Sequence, residues 1–170
     1  MNLESWIRDV QDFPIHGILF KDITPLLNDP AALREAVDRM VAPYRDREID
    51  RVVAIESRGF LFGMPVAYQL QAGFVPVRKA GKLPSEHVGV EYSLEYGTNR
   101  LEMHRDAVQP GETVLIVDDL LATGGSAAAA VSLVEKLGGV VEGLDFLIEL
   151  EFLQGRKALS GYDVFSVLRI

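Results

Sequence analysis

This sequence predicts an α/β fold in which a mainly parallel central sheet is flanked by helices. Three observations carry that expectation. Short aliphatic and β-branched runs recur at residues 51–55, 74–77, 114–117, 140–150 and 164–168, and uninterrupted apolar runs mark strands covered on both faces. Segments with helical spacing alternate with these runs, as in strand–helix–strand units. Two of the strands pass directly into a small or polar loop and then a helix start, at residues 56–60 and 118–127.

In chain order, Leu3, Trp6, Ile7 and Val10 have helical spacing and predict a short amphipathic helix over residues 3–11. Residues 13–27 hold two prolines and a glycine among large apolar side chains. A regular helix is excluded there, leaving either a pocket wall or a loop anchored to the core. Asp29 and Pro30 suit the N-cap and first turn of a helix, whose inner face is Leu33, Ala36, Val37, Met40, Val41 and Tyr44. The strand at 51–55 ends in Glu56-Ser57-Arg58-Gly59, and a helix follows over 60–70. After the strand at 74–77 comes Arg78-Lys79-Ala80-Gly81-Lys82-Leu83-Pro84, a basic and flexible segment. Residues 88–103 alternate around Gly97-Thr98-Asn99, predicting a β-hairpin that projects from the sheet as an arm. His87 and His104 have no metal-ligand spacing around them.

The most informative stretch is Val114-Leu115-Ile116-Val117-Asp118-Asp119-Leu120-Leu121-Ala122-Thr123-Gly124-Gly125-Ser126. A strand should end at the two aspartates, and a helix should occupy residues 127–137. Strand, small-residue loop and helix start together hold phosphate: glycines admit the anion to the backbone, and the first helical turn presents N–H groups and the positive end of the dipole. Thr123 and Ser126 add hydroxyl donors. Asp118 and Asp119 would repel a phosphate, so they suit a neighbouring polyol or a hydrated divalent cation. No Lys follows the glycines and no Gly-x-Gly-x-x-Gly occurs, which excludes a P-loop and a dinucleotide fingerprint.

Composition bounds the class. With 170 residues and a balanced content of apolar and charged side chains, one domain over residues 1–170 is expected. The chain has no cysteine, which excludes disulfides and thiolate chemistry. No apolar stretch is long enough to span a bilayer, and a cytoplasmic protein is expected. The formal net charge of −8 argues against nucleic-acid binding. An anionic ligand would then need a local basic cluster, which residues 78–82 and Arg58 offer.

The stretch at 114–126 resembles the phosphoribosyl-diphosphate motif of the type I phosphoribosyltransferases, and Val-Asp-Asp-Leu-Leu-Ala-Thr-Gly-Gly is similar to their adenine branch. Glu56-Ser57-Arg58-Gly59-Phe60 resembles that family's pyrophosphate loop. Phe13-Pro14 through Asp22-Ile23-Thr24-Pro25 resembles its base-binding hood, with Lys21 where Arg is commoner. The resemblance runs from Phe13 to about Leu159.

It implies a type I phosphoribosyltransferase fold with a hood over residues 1–28 and a flexible hairpin over 78–105. The implied reaction is purine salvage: adenine and 5-phosphoribosyl 1-diphosphate give AMP and pyrophosphate. Ala122, Thr123, Gly124, Gly125 and Ser126 would bind the 5′-phosphate, and Asp118 and Asp119 the ribose hydroxyls. Ser57, Arg58, Arg78, Lys79 and Lys82 would serve the pyrophosphate. Mg²⁺ would be held mainly by the substrate, with Asp118 reaching it through water. Leu19, Phe20 and Lys21 would contact adenine. Glu95 matches the family's general acid/base, whereas the residues alone rank it no higher than Glu91 or Glu102. A homodimer is also implied. Glu149 and Glu151, with no Lys before Lys157, offer acceptors for an amino group and so favour adenine over a 6-oxo purine. The alternatives are a phosphoribosyltransferase for a 6-oxo purine and a non-catalytic regulator that senses purine or phosphoribosyl diphosphate.

Overall fold

The computed structural model describes residues 1–94 and 97–170. They form two compact units, Met1–Arg39 and Met40–Ile170.

In the first unit Asn2 caps a single 3-10 turn, Leu3–Trp6, accepting a hydrogen bond from Glu4 N at 3.2 Å. The chain then extends as β1 (Arg8–Gln11), antiparallel to β2 (Leu19–Asp22), with Val10 opposite Phe20. The helix expected over residues 3–11 is therefore one turn and a strand. Leu3 alone of its apolar positions is buried, and Trp6, Ile7 and Val10 are half-buried. Cross-strand pairing decides the rest: Lys21 Nζ meets Asp9 Oδ1 at 2.7 Å and Arg8 meets Asp22 at 3.6 Å. A single-turn α1 (Thr24–Asn28) precedes α2 (Pro30–Val41). Asp29 caps α2 as its position predicted, accepting from Ala31 N at 3.0 Å and Ala32 N at 2.7 Å. Ala32 is buried on that helix, while Leu33, expected on the inner face, is only half-buried.

The second unit is built on a seven-stranded sheet in the order β5-β6-β4-β3-β7-β8-β9. Its strands are β3 (Arg51–Ile55), β4 (Gly73–Lys79), β5 (His87–Leu94), β6 (Gly97–His104), β7 (Thr113–Leu121), β8 (Val140–Glu149) and β9 (Val164–Arg169). Pairings β4/β3, β3/β7, β7/β8 and β8/β9 are parallel, and the β5–β6 hairpin adds an antiparallel edge. Helix α4 (Gly125–Lys136) lies on one face, where Ala127, Ala130, Val131 and Val134 pack with Val53, Val75, Ile116 and Phe146. Helix α3 (Gly59–Leu70) lies on the other, so close at Gly63 that a Cβ there would sit 2.5 Å from Ala54 Cβ. Cover on both faces explains why these strands read as continuous apolar runs.

Several boundaries differ from expectation. Strand β4 runs on through Arg78 and Lys79, which pair with Glu102 and Leu101 of β6, so the expected basic loop begins as strand. Strand β7 does not stop at the aspartates but continues to Leu121, because β8 still pairs alongside it, Leu121 opposite Glu149. Helix α4 starts two residues earlier than expected, since Gly124 takes φ +88° and serves as its N-cap. Gly97–Asn99 belongs to β6 rather than to the turn of the hairpin. The hairpin also lies against α4 instead of projecting: Tyr92 is within 3.4 Å of where a Gly125 Cβ would stand, and Lys136 Nζ donates to Gly89 O at 2.9 Å. Its alternating Val88, Val90 and Tyr92 form an apolar face, which packs against the α4 side of the core.

Candidate active site

Strands β4, β3 and β7 are adjacent and parallel, so the loops after them open at one end of the sheet, where ligands of such sheets bind. A cleft of about 300 Å³ lies there, lined by Glu56, Ser57, Arg58, Lys79, Tyr92, Asn99, Asp118, Asp119, Ala122 and Ser126 among others. All three loops singled out in the sequence thus contribute. A larger open recess, about 660 Å³, lies in the first unit beside Trp6, Arg8 and Pro25. Its lining includes Asp29 and the first turn of α1, but neither the loops after β3 and β7 nor the buried aspartate pair.

The loop at residues 122–126 is shaped by its glycines. Gly124 has φ +88°, which a side chain resists, and Ala128 N donates to Gly124 O at 2.9 Å to start α4. The N–H groups of Gly125, Ser126 and Ala127 precede this bond in the first turn and have no intrahelical acceptor, an arrangement that suits an anion. Thr123 and Gly125 flank this turn, with Gly125 beneath Tyr92.

The two aspartates are buried, with only 9% and 5% of Asp118 and Asp119 exposed. Asp119 N donates to Asp118 Oδ1 at 2.9 Å, and Arg58 Nε reaches Asp119 Oδ2 at 2.9 Å. Burial, then the neighbouring Asp119 charge, push the Asp118 carboxyl well above the usual carboxylate range. Burial raises Asp119 as well, against the pull of Arg58. Burial and mutual repulsion thus work against charge on the pair, and Arg58 works for it. Gly59 lets α3 begin beside it, because a Cβ there would stand 2.8 Å from Asp118 Oδ1.

The basic turn is anchored by Glu56, whose role the sequence reading did not identify. Lys82 Nζ reaches Glu56 Oε1 at 2.6 Å, Arg78 reaches it at 3.1 Å, and Lys79 N donates to Oε2 at 2.8 Å. Burial alone would raise this carboxyl, but the bonds from Lys82, the Lys79 N–H and Arg78 outweigh it and bring it to about 2. On the other side Gly81 N donates to Glu102 Oε1 at 2.8 Å. The Glu56–Ser57 peptide bond is cis.

Leu19, Phe20 and Lys21 form β2 of the first unit, with Phe20 edge-on to Phe13 at 5.1 Å between ring centroids and Lys21 bound to Asp9. Glu95 lies outside the described residues. Glu149, offered in the sequence reading as an acceptor for a base, is already used: Arg156 binds it through Nε at 2.7 Å and a terminal nitrogen at 2.8 Å, and Ser166 Oγ donates to it at 2.8 Å. Tyr92 and Asn99 enter the cleft without having been singled out. Their sequence signal is only strand alternation: they pair with each other within the β5–β6 hairpin, and the pairing that sets this hairpin beside β4 is non-local. Among the described residues no group of three or more His, Cys, Asp or Glu could hold a metal ion, and no helix is long and apolar enough to cross a membrane.

Residues 24–142 match the phosphoribosyl transferase domain. The chain belongs to the phosphoribosyltransferase family. It is 55% identical to the adenine phosphoribosyltransferase of Halothermothrix orenii over 99% of both chains. The crystal structure of adenine phosphoribosyltransferase from Thermoanaerobacter pseudethanolicus is 53% identical and superposes with a TM-score of 0.96, over 99% of this chain and 98% of that one. The Saccharomyces cerevisiae adenine phosphoribosyltransferase, solved with an imino-altritol bisphosphate and adenine, is 43% identical with a TM-score of 0.92, over 98% and 96%. The fold is thus the type I phosphoribosyltransferase fold, as its motifs implied.

Proposed function

We infer that this chain is an adenine phosphoribosyltransferase of purine salvage, converting adenine and 5-phosphoribosyl 1-diphosphate into AMP and pyrophosphate. The observation that carries this reading is the meeting of a glycine-built phosphate loop, a buried aspartate pair and two basic loops at one end of the sheet. Full-length similarity to adenine phosphoribosyltransferases supports the choice of base.

In the reaction the bond from the anomeric carbon to pyrophosphate breaks, the bond from that carbon to a purine nitrogen forms, and the purine loses a proton. The transition state resembles an oxocarbenium ion. Residues 122–126 would hold the 5′-phosphate, and Asp118 and Asp119 the ribose hydroxyls, with their negative field favouring the developing positive charge. Arg58, with Ser57 and the cations Arg78, Lys79 and Lys82, would receive the departing pyrophosphate. Leu19, Phe20 and Lys21 as base contacts, and Glu95 as general acid/base, are assigned from their motifs.

Mg²⁺ belongs to this proposal as well, and would neutralise charge on the pyrophosphate. The donor set suits an ion carried mainly by substrate oxygens, with Asp118 the carboxylate to reach it through water. A homodimer and a cytoplasmic location are further parts of the proposal. The exposed Leu61, Met64 and Tyr68 on one face of α3 suit a second copy.

The test is product formation from phosphoribosyl diphosphate and Mg²⁺ with adenine, hypoxanthine and guanine offered separately. AMP from adenine alone is expected. Turnover of an oxo-purine instead would overturn the choice of base, and tight binding without turnover would make the chain a sensor.

A further inference from the structure

We propose that Glu149 and Arg156 form a strut that holds the phosphate loop in its binding shape, making both of them positioning residues for the phosphoribosyl substrate. The inference rests on reading residues 122–126 as the phosphate loop.

The strut starts at the end of β8. Glu149 sits opposite Leu121 in the β7–β8 ladder, and Leu150 N donates to Leu121 O at 2.9 Å. Glu149 is therefore fixed beside the strand that delivers Ala122. It is 3% exposed, yet fully partnered: Arg156 Nε at 2.7 Å, the second Arg156 donor at 2.8 Å, Ser166 Oγ at 2.8 Å, and Arg169 at 3.7 Å. A further Arg156 nitrogen donates to Val164 O on β9 at 2.8 Å. Three donors of one planar guanidinium thus fix both the position and the orientation of residue 156.

What that fixes is the neighbouring residue. Gly155 lies against the back of the phosphate loop. A Cβ on Gly155 would stand 2.3 Å from Ala122 O, and a Cβ on Gly124 would stand 2.5 Å from Gly155 O and 2.9 Å from Ala158 Cβ. Backbone meets backbone with no side chain between, so a shift of the 155 segment is transmitted directly to Ala122 and Gly124. Apolar anchoring alone is thin here. Phe152 and Leu153 are 75% and 38% exposed, which leaves Leu150 and Leu159 as the buried hydrophobic anchors of the segment. The ion pair supplies the directional hold that these two cannot.

The experiment compares wild type with Arg156→Lys, Glu149→Gln and Gly155→Ala. Steady-state kinetics with adenine, phosphoribosyl diphosphate and Mg²⁺ give KM for each substrate, and thermal melts report the fold. In the variants, KM for phosphoribosyl diphosphate should rise about 10- to 100-fold, the scale of a small misplacement of binding groups, while KM for adenine stays within twofold. Gly155→Ala pushes on the loop with the ion pair intact, so it carries the test if Arg156→Lys does not fold. Unchanged KM for phosphoribosyl diphosphate in folded Arg156→Lys and Gly155→Ala overturns the strut, even if both melt earlier. A wild-type protein that neither binds nor uses phosphoribosyl diphosphate overturns the phosphate-loop reading and the strut with it.

Discussion

Arg58 Nε lies 2.9 Å from Asp119 Oδ2, so a cation of the first loop and an acid of the third are neutralised against each other across the cleft. Arg58 opposes the burial that raises Asp119. Replacing Arg58 by Ala should therefore raise the Asp119 carboxyl further and move the acidic limb of the pH–rate profile to higher pH. Loss of charge-assisted bonds to pyrophosphate should raise KM for phosphoribosyl diphosphate by about 10- to 100-fold. A profile whose acidic limb does not move would show that Asp119 ionisation does not matter.

Glu56 holds the basic turn. Its carboxyl is depressed from 4.5 to about 2, so its pairing stabilises the fold fully above pH 4.5 and is lost as pH falls toward 2. Glu56→Gln should lower stability to urea at pH 7, and the gap from wild type should narrow at pH 3. An equal gap at both pH values would remove the ion pairs as its cause.

Asp145 is fully buried on β8, and neither carboxylate oxygen has a hydrogen-bond partner among the described residues. Burial raises it well above the usual 3.8. A raised carboxyl favours the folded state at low pH, and that contribution is lost as pH climbs from the unfolded value through the folded one. Asp145→Asn removes this dependence. Its Tm should exceed that of wild type by more at pH 8 than at pH 5, and an equal difference at both pH values would show that burial does not raise Asp145.

Gly59 leaves room for Asp118, and Gly59→Ala would put a methyl group 2.8 Å from Asp118 Oδ1. The expected result is a folded protein with kcat/KM reduced about 100-fold, the cost of a small displacement at a reacting site. Near-normal activity would mean that the carboxylate can relocate without penalty.

The cap of α2 is a purely structural case. Asp29→Ala removes the acceptor for Ala31 N and Ala32 N and should cost about 1 kcal/mol. That corresponds to about 2–4 °C in Tm for a chain of this size, readable by calorimetry with kcat unchanged.

The parallel order of alternating elements, the Asp29 cap, the glycine turn into α4 and the set of loops that meet were all legible in the residues. Each depends on chemistry contained within a few positions: apolar period, cap side chains, and glycines that allow positive φ at the start of α4. The short helix expected over residues 3–11 failed because β1 exists only through its pairing with β2, eight residues further on. The end of β7 was placed too early because its last residues are strand only by virtue of β8.

By itself, then, the sequence determined which residues have the local chemistry for an anion and a polyol, since charge, hydroxyl groups and glycine freedom are local. Only the tertiary structure decided their electrical state and their support. The burial that raises Asp118, the engagement of Asp119 by Arg58, the capture of Lys82 by Glu56 and the removal of Glu149 from the list of free acceptors by Arg156 and Ser166 all depend on contacts between different elements. Desolvation and ion pairing depend on distances between elements, and those distances exist only once the sheet has brought its strands side by side.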